Sequence, residues 1–307
     1  MKNLKIVFLG TSSGVPTKTR NHTAILLVYN GDYLLFDCGE GTQRQMAKLD
    51  ISPLRIDKIF ITHLHADHVL GLAGLLQTLA MKNYEKELEI YGPIGLKKYL
   101  SSIEDTFNIL KFLKLKVFEI SNSSNSQVFD FERYYVEAIP LCHITNTYGY
   151  VFKEKDKIKI KQKYVRIVGG PSPLFKLLKE GITIEHKGKK ITPKEATIVE
   201  KGKKVGIVLD TKKCEGIYKI AKDADFLIIE STYVKEMQSL AEEYFHLTTG
   251  DVADVIRKCN PKIVALTHIS ERYSGKESRL LQEVKKEMKT KKKTKVFIAE
   301  DLQVFVL

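Results

Sequence analysis

The chain has 307 residues, with 50 Lys/Arg against 37 Asp/Glu for a net charge of +13, eight His and four Cys. That length can bury a large core, as one domain or two. No apolar run approaches the roughly 18–20 residues of a membrane span, and the apolar stretch after Met1 is too short for a signal peptide. Four scattered cysteines with no CxxC exclude a disulfide framework and fit a reducing, cytoplasmic setting.

Strand-like runs open the chain at Leu4–Leu9, Ala24–Tyr29 and Tyr33–Asp37. Between the first two, residues 10–21 join small residues, hydroxyls and two cations at a strand end. This is the composition of a phosphate-contacting loop, with Ser12, Ser13, Lys18, Arg20 and Asn21 as its candidate contacts. A Gly turn at Asp37-Cys38-Gly39-Glu40-Gly41 leads into a polar helix start.

The run Asp57–Thr62 reads as a strand, and Val69–Ala80 has helical spacing. Between them lies His63-Leu64-His65-Ala66-Asp67-His68, four potential metal ligands in six residues. Residues two apart in an extended segment face the same side, so His63 and His65 can grip one ion together. Asp67 and His68 fall where the chain turns into the helix and can point at a second ion. Imidazole and carboxylate suit a divalent ion such as zinc.

A strand at Leu88–Tyr91, a helix from Ile94 to Glu104 and strands at Leu115–Ile120 and Tyr134–Ile139 follow, the last running into His143. Residues 153–204 then change character, with 16 Lys/Arg against 6 Asp/Glu. They begin with the alternation Lys157-Ile158-Lys159-Ile160-Lys161, which suits an exposed β ribbon. Their Val168-Gly169-Gly170-Pro171-Ser172-Pro173-Leu174 speaks for bends, not a core. Residues 285–295 hold 7 Lys and 1 Glu, and the rest of the chain is slightly acidic. Positive charge confined to two segments is the electrostatic footprint of polyanion binding, here nucleic acid.

Core texture returns with strands at Lys204–Leu209, Phe226–Ile229 and Lys262–Leu266, a helix near Gly216–Lys222, a helix after Thr248 or Thr249 and another from Lys276. An internal echo joins the two parts. Asp57–His63 resembles Pro261–His268, and Tyr33–Asp37 resembles Val205–Asp210. Both halves thus place a Thr-His and an Asp at strand ends. Two α/β halves packed sheet against sheet bring those ends to one edge, which predicts a four-layer αββα sandwich with an inserted basic arm.

Seven ligands, His63, His65, Asp67, His68, His143, Asp210 and His268, are too many for one tetrahedral ion and suit two that share a carboxylate. His63, His65 and His143 are assigned to one zinc, and Asp67, His68 and His268 to the other, with Asp210 bridging. Two ions about 3.5–4 Å apart fit displacement at phosphorus and an activated water. Asp67 can take that water's remaining proton. His246 is the candidate acid for the leaving oxygen, and Glu230 its orienter. His22 and His186 read as structural or surface residues.

The pattern His63-x-His65-x-Asp67-His68 resembles the signature of the metallo-β-lactamase superfamily, and within it the chain is similar to the tRNase Z family. The resemblance runs over essentially the whole length. It is carried also by Phe8–Gly14, Pro16-x-Lys18-x-Arg20-Asn21, Asp37–Gln45, Asp210-Thr211 and Thr267-His268-Ile269-Ser270. It implies the same seven ligands, two zinc ions per subunit with manganese or iron as alternatives, Asp67 as proton acceptor and Glu230/His246 as the protonating couple. It further implies cleavage of precursor tRNA next to the discriminator base, leaving a 3′-hydroxyl on the tRNA and a 5′-phosphate on the trailer. The expected partner is a second copy in a homodimer, and no membrane. The expected domains are 1–152 with 204–307, and an arm at 153–203 whose Gly170 and Pro171 belong to a tRNA-clasping exosite. Arg272 is a candidate phosphate contact. The chain departs from the family at Ser231, Leu247 and Glu271. Two other readings are a different phosphodiesterase or hydrolase of the same fold, and a metal-stabilised RNA-binding protein without turnover.

Overall fold

The computed structural model describes residues 4–121, 125–288 and 294–307. Two compact units emerge: one of Met1–Phe129, Val136–Phe152 and Lys204–Leu307, the other of Asp130–Tyr135 and Lys153–Lys203.

In chain order the first half contains β1 Leu4–Gly10, β2 Ala24–Tyr29, β3 Asp32–Phe36, α1 Thr42–Lys48, β4 Ile56–Phe60, α2 Ala66–Met81, β5 Glu87–Pro93, α3 Leu96–Phe107 and β6 Lys114–Ile120. Then come β7 Gln127–Asp130, β8 Tyr134–Leu141 and β9 Thr147–Glu154. The inserted stretch holds β10 Lys157–Ile160, α4 Gln162–Val168, α5 Leu174–Lys179, β11 Ile184–His186, β12 Lys189–Ile191, α6 Pro193–Ala196 and β13 Thr197–Glu200. The second half has β14 Lys204–Val208, α7 Glu215–Ala221, β15 Phe226–Glu230, α8 Gln238–Glu243, α9 Thr249–Cys259, β16 Ile263–Thr267, α10 Ser278–Met288, β17 Lys295–Ile298 and β18 Val304–Val306.

The large unit contains two seven-stranded sheets, ordered β18-β1-β2-β3-β4-β5-β6 and β17-β16-β15-β14-β9-β8-β7. In the first, β3 to β6 run parallel; in the second, β14 to β17 do. These parallel strands carry near-continuous apolar runs because both faces are buried. On the outer face of the first sheet, Leu26, Leu35 and Ile59 pack with Leu72, Leu75 and Leu76 of α2 and Leu100 of α3. On the outer face of the second, Val208, Leu227 and Val264 pack with Ile217 and Ile220 of α7, Val252 and Ile256 of α9 and Val284 of α10. Between the sheets Phe36 and Phe60 meet Tyr150, and Tyr29 meets Phe152. This is the expected αββα order. The final strand β18 crosses to pair antiparallel with β1, so the two halves share an element.

The strand β9 is buried almost throughout, which removes the alternation that marks a strand in sequence. The Thr248 hydroxyl caps α9 by accepting from Asp251 N–H, with the Asp251 carboxylate returning the bond, a capping box.

The smaller unit has a core of its own, and Val168 and Leu174, which bound the stretch expected to hold bends and not a core, pack against it. Leu178, Ile184, Ile191 and Ala196 are buried together, with Tyr164, Val168, Leu174 and Phe175 against them. The ribbon is real, with β10 paired to β13 from Lys157↔Glu200 to Ile160↔Thr197. Gly169 and Gly170, at φ +90° and +118°, end α4 and turn the chain towards α5. Asp130–Tyr135, expected in the main domain, belongs here, since Lys155 N–H donates to Arg133 O and its ammonium pairs with Asp130. Lys161, Lys163, Arg166 and Lys176 are exposed. In the other Lys-rich segment, Lys285 and Lys286 lie on α10 and Lys295 starts β17; positions 289–293 are outside the described residues. No helix among the described residues is long and apolar enough to cross a membrane.

Candidate active site

The carboxyl ends of the parallel strands converge at one edge, where open α/β sheets bind ligands. The register Phe36↔Phe60 sets Asp37 beside the segment that leads to His63. The register Glu230↔Thr267 sets Glu230 beside the segment that leads to His268. Asp210 follows β14, and His143 follows β8.

These ends bring the seven expected ligands into two overlapping groups: His63, His65, His143 and Asp210; and Asp67, His68, Asp210 and His268. Asp210 belongs to both. Its Oδ2 lies 3.6 Å from His63 Nε2, and its Oδ1 lies 3.4 Å from His68 Nε2 and 3.0 Å from His268 Nε2. Asp67 Oδ2 is 3.3 Å from His68 Nε2 and 3.4 Å from His268 Nε2.

Each ring is aimed through its other nitrogen. His68 Nδ1 donates to Asp37 Oδ2 at 2.6 Å. His143 Nδ1 donates to Phe245 O at 3.0 Å. Thr62 Oγ1 spends its proton on Asp37 Oδ2 and accepts from His63 Nδ1 at 3.0 Å. Thr232 Oγ1 spends its proton on Glu230 Oε2 at 2.6 Å and accepts from His268 Nδ1 at 3.0 Å. Four Nε2 lone pairs are thereby freed, the outer-shell arrangement that fixes ligating imidazoles. His65 instead presents Nδ1, 3.2 Å from His143 Nε2.

The donor set fits divalent cations. His63 Nε2, His68 Nε2 and Asp210 Oδ1 are buried without a hydrogen-bond partner in the protein. Burial, reinforced by His68, holds His63 well below the ordinary imidazole value, and burial also lowers His65 and His143, leaving them neutral donors. Burial opposes charge on His68, yet Asp210, Asp37 and Asp67 together push it well above its usual value. Three carboxylates around one ring call for positive charge at Nε2, which a metal supplies as well as a proton does.

Beside this cluster, His246 Nδ1 lies 3.2 Å from both oxygens of Glu230. Glu230 is fully buried and also accepts from Thr211 N–H, Leu247 N–H and Thr232 Oγ1–H. Burial favours its neutral form, but the His246 charge outweighs that and lowers its pKa. Burial likewise depresses His246, and the Glu230 carboxylate more than reverses this, to about 9.

A cleft of about 460 Å³ opens here, lined by Ser13, Gly14, Val15, Tyr233, Tyr244 and Arg272 together with His65, Asp67, Asp210, His246 and His268.

The first half of the chain, residues 4–161, matches the family described as "Anti-Pycsar protein Apyc1", a stretch that includes His63 to His68 and His143 but stops before Asp210. Similarity to ribonuclease Z is not so confined. The chain is 39% identical over 271 residues to the ribonuclease Z of Nanoarchaeum equitans, covering 88% of this chain and 84% of that one. The chain belongs to the ribonuclease Z family. Human tRNase Z, short form, superposes with a TM-score of 0.71 at 28% identity over 98% of both chains. The metallo-β-lactamase fold protein YhfI of Bacillus subtilis does so with the same score at 15% identity, a likeness of fold alone. Ribonuclease Z membership places the chain among hydrolytic endoribonucleases on the metallo-β-lactamase fold.

The departures at Leu247 and Glu271 are accommodated, while Ser231 leaves its Oγ buried without a hydrogen-bond partner. At Leu247 the bond to Glu230 comes from the backbone N–H, so the side chain there is free to be the buried leucine it is. Glu271 Oε2 accepts from Ser270 Oγ, and Arg272 Nε donates to the same Oγ while its guanidinium lies 5.1 Å above the Tyr233 ring. Among the loop residues, Lys18 is exposed, Ser13 lines the cleft, and buried Ser12 donates to Val15 O. Asn21 Nδ2 donates to Glu40 O. Arg20 departs from its expected role, because its guanidinium turns inward to Thr11 and Ala299. Gly170 and Pro171 lie in the smaller unit, and His186 on its β11. His22 is buried behind the loop, with Nε2 3.3 Å from Gly14 O.

Asp37, Thr62 and Thr232 escaped the sequence reading as site residues. Asp37 and Thr62 carried a signal in the internal echo. Thr232 did not, because by that echo Thr267 should serve His268, whereas the hydroxyl that does so comes from the segment just after β15. Asp37 and His268 both hold left-handed backbone, φ 55° and 56°, the kind of strain that collects at functional sites.

Proposed function

We propose that the protein removes 3′ trailers from precursor tRNA, cutting next to the discriminator base to leave a 3′-hydroxyl on the tRNA and a 5′-phosphate on the trailer. The observation that carries this reading is the pairing of an orphaned His/Asp cluster with cleft-lining His246 held by buried Glu230. A binding module without turnover has no use for that couple.

Two zinc ions, or manganese or iron in their place, would be held by His63, His65 and His143 and by Asp67, His68 and His268, with Asp210 shared; when bound, such ions polarise a phosphoryl oxygen and acidify water. Asp67, ionised and lining the cleft, takes the proton of the attacking water. The P–O3′ bond breaks, and the departing ribose oxygen needs a proton. His246 supplies it from the nitrogen opposite Nδ1, while Glu230 holds the ring and favours its charged form. Exposed Lys18 and cleft-lining Arg272 are the phosphate contacts in this reading, and the lysines of the smaller unit are its RNA-clasping surface, with Gly170 and Pro171 in the α4–α5 turn. The reading carries with it a homodimer, in which one subunit's arm serves the other's site, and a cytoplasmic setting that suits four free cysteines.

The test is gel mapping of a 3′-extended precursor tRNA with metal-loaded protein and a chelator-treated control. One metal-dependent cut beside the discriminator is expected. RNA binding without a cut, in protein shown to carry metal, would replace this reading with a different phosphodiester substrate or a non-catalytic role.

A further inference from the structure

The two cations of the Gly10–Asn21 loop lie two residues apart and have opposite surroundings. Lys18 is in solvent, and Arg20 is 7% exposed. Arg20 Nη1 donates to Thr11 Oγ1 at 2.7 Å and to Ala299 O at 2.6 Å, with its Nε 3.5 Å from the Glu277 carboxylate. The Thr11 hydroxyl passes its own proton to Asp301 Oδ1 at 2.7 Å. Asp301 Oδ2 accepts Asn21 N–H at 2.7 Å and Gln45 Nε2–H at 2.8 Å.

One carboxylate thus holds both ends of the loop, Thr11 and Asn21. Across the loop, Thr11 N–H and Ser12 N–H share Asn21 O. From its other side, Thr11 O accepts Ile269 N–H at 2.9 Å, and Ser13 N–H donates to Ile269 O at 3.1 Å. Ile269 directly follows His268, and Ser13, Gly14 and Val15 line the same cleft as His268. Burying charge in place of apolar side chains is costly, and the best-attested return is a fixed geometry.

We infer that Asp301 and Arg20 are positioning residues that fix the Thr11–Asn21 loop, so that its wall selects which phosphodiester of the RNA is cut. The inference rests on the RNA-processing reading above. An RNA strand offers a row of chemically equivalent phosphodiesters, so the choice among them comes from the walls, not from the reacting groups. A small diester has no neighbouring phosphates and needs no such wall.

The experiment measures Asp301→Asn, Thr11→Val, Thr11→Ser and Arg20→Lys on two substrates, a 3′-extended precursor tRNA and bis(p-nitrophenyl) phosphate. Asp301→Asn and Thr11→Val should raise KM for the precursor by about tenfold and spread the cut over adjacent phosphodiesters, with small-diester turnover unchanged. Thr11→Ser keeps the hydroxyl and should keep the single cut. Arg20→Lys retains the charge but lacks a planar fork to span two acceptors, so its precursor cut should spread as well. A single cut and unchanged KM in folded Asp301→Asn overturns the inference alone. Equal loss on both substrates in all variants, Thr11→Ser included, also overturns it, by reducing the network to general stability. Wild-type protein that turns over the small diester and leaves the precursor intact overturns the RNA-processing reading, and this inference with it.

Discussion

His68 Nδ1 sits 2.6 Å from Asp37 Oδ2, and both residues are fully buried. Asp37 also accepts from the backbone and hydroxyl of Thr62, which in turn accepts from His63. A single carboxylate therefore aims one ring of each proposed ion group. Asp37→Asn should weaken metal retention by about 10–100-fold, the usual effect of losing such an outer-shell partner. Competition against a chromophoric chelator measures this, and retention equal to wild type would remove Asp37 from the site.

The Glu230–His246 pair gives the reaction a pH signature. In the proposed reaction His246 acts in its protonated form, and its pKa is raised from the ordinary value to about 9 by Glu230 acting against burial. For stability, a raised His contributes fully below its unfolded pKa, and the contribution is lost as pH rises through the folded one. For activity, the limb that this acid sets is the alkaline one, which falls near or below 9, since bound cations only repel the imidazolium. Glu230→Gln should move that alkaline limb of kcat/KM down by about one unit or more. His246→Ala should damage RNA cleavage far more than bis(p-nitrophenyl) phosphate hydrolysis, because p-nitrophenolate leaves without a proton. Equal losses on both substrates would deny His246 its acid role.

Much of this site was legible because ligand chemistry leaves local marks. His63 to His68 declare themselves by spacing, and the Asp37/Asp210 and Thr-His echo points to two halves with a common edge. What was hidden depends on contacts between distant segments. Nothing local distinguishes Arg20 from a solvent-facing loop cation; its burial follows from Ala299 and Thr11 being in place to receive it. The small core of the inserted unit was obscured by Gly169, Gly170 and Pro171, which read as bends although Val168 and Leu174 on either side pack inward. The strand β9 lost its periodicity to burial on both faces.

Asp67 is ionised beside His68 and His268, whose attraction overcomes a burial that favours the neutral acid. Asp67→Asn should keep the fold and tRNA binding, and reduce cleavage by about 10²–10⁴-fold, the range for loss of a general base. Single-turnover cleavage and filter binding on the same preparation separate the two, with metal content measured alongside. Cleavage within a few-fold of wild type would exclude Asp67 as the proton acceptor.

In the proposed reading the basic residues of the smaller unit serve affinity and not chemistry. Lys163, Arg166, Lys176 and Lys179 are exposed on or beside α4 and α5. Each RNA phosphate that is no longer neutralised should reduce the slope of log affinity against log salt by about 0.7–0.9, because fewer counterions are released on binding. Replacing all four with Ala should therefore flatten the salt dependence of precursor tRNA binding and raise KM. Hydrolysis of bis(p-nitrophenyl) phosphate should stay as it was, since that substrate reaches only the cleft. An unaltered slope in the fourfold variant would take these residues out of RNA recognition and shift the search for phosphate-binding cations to exposed Lys18 and to Arg272 at the cleft.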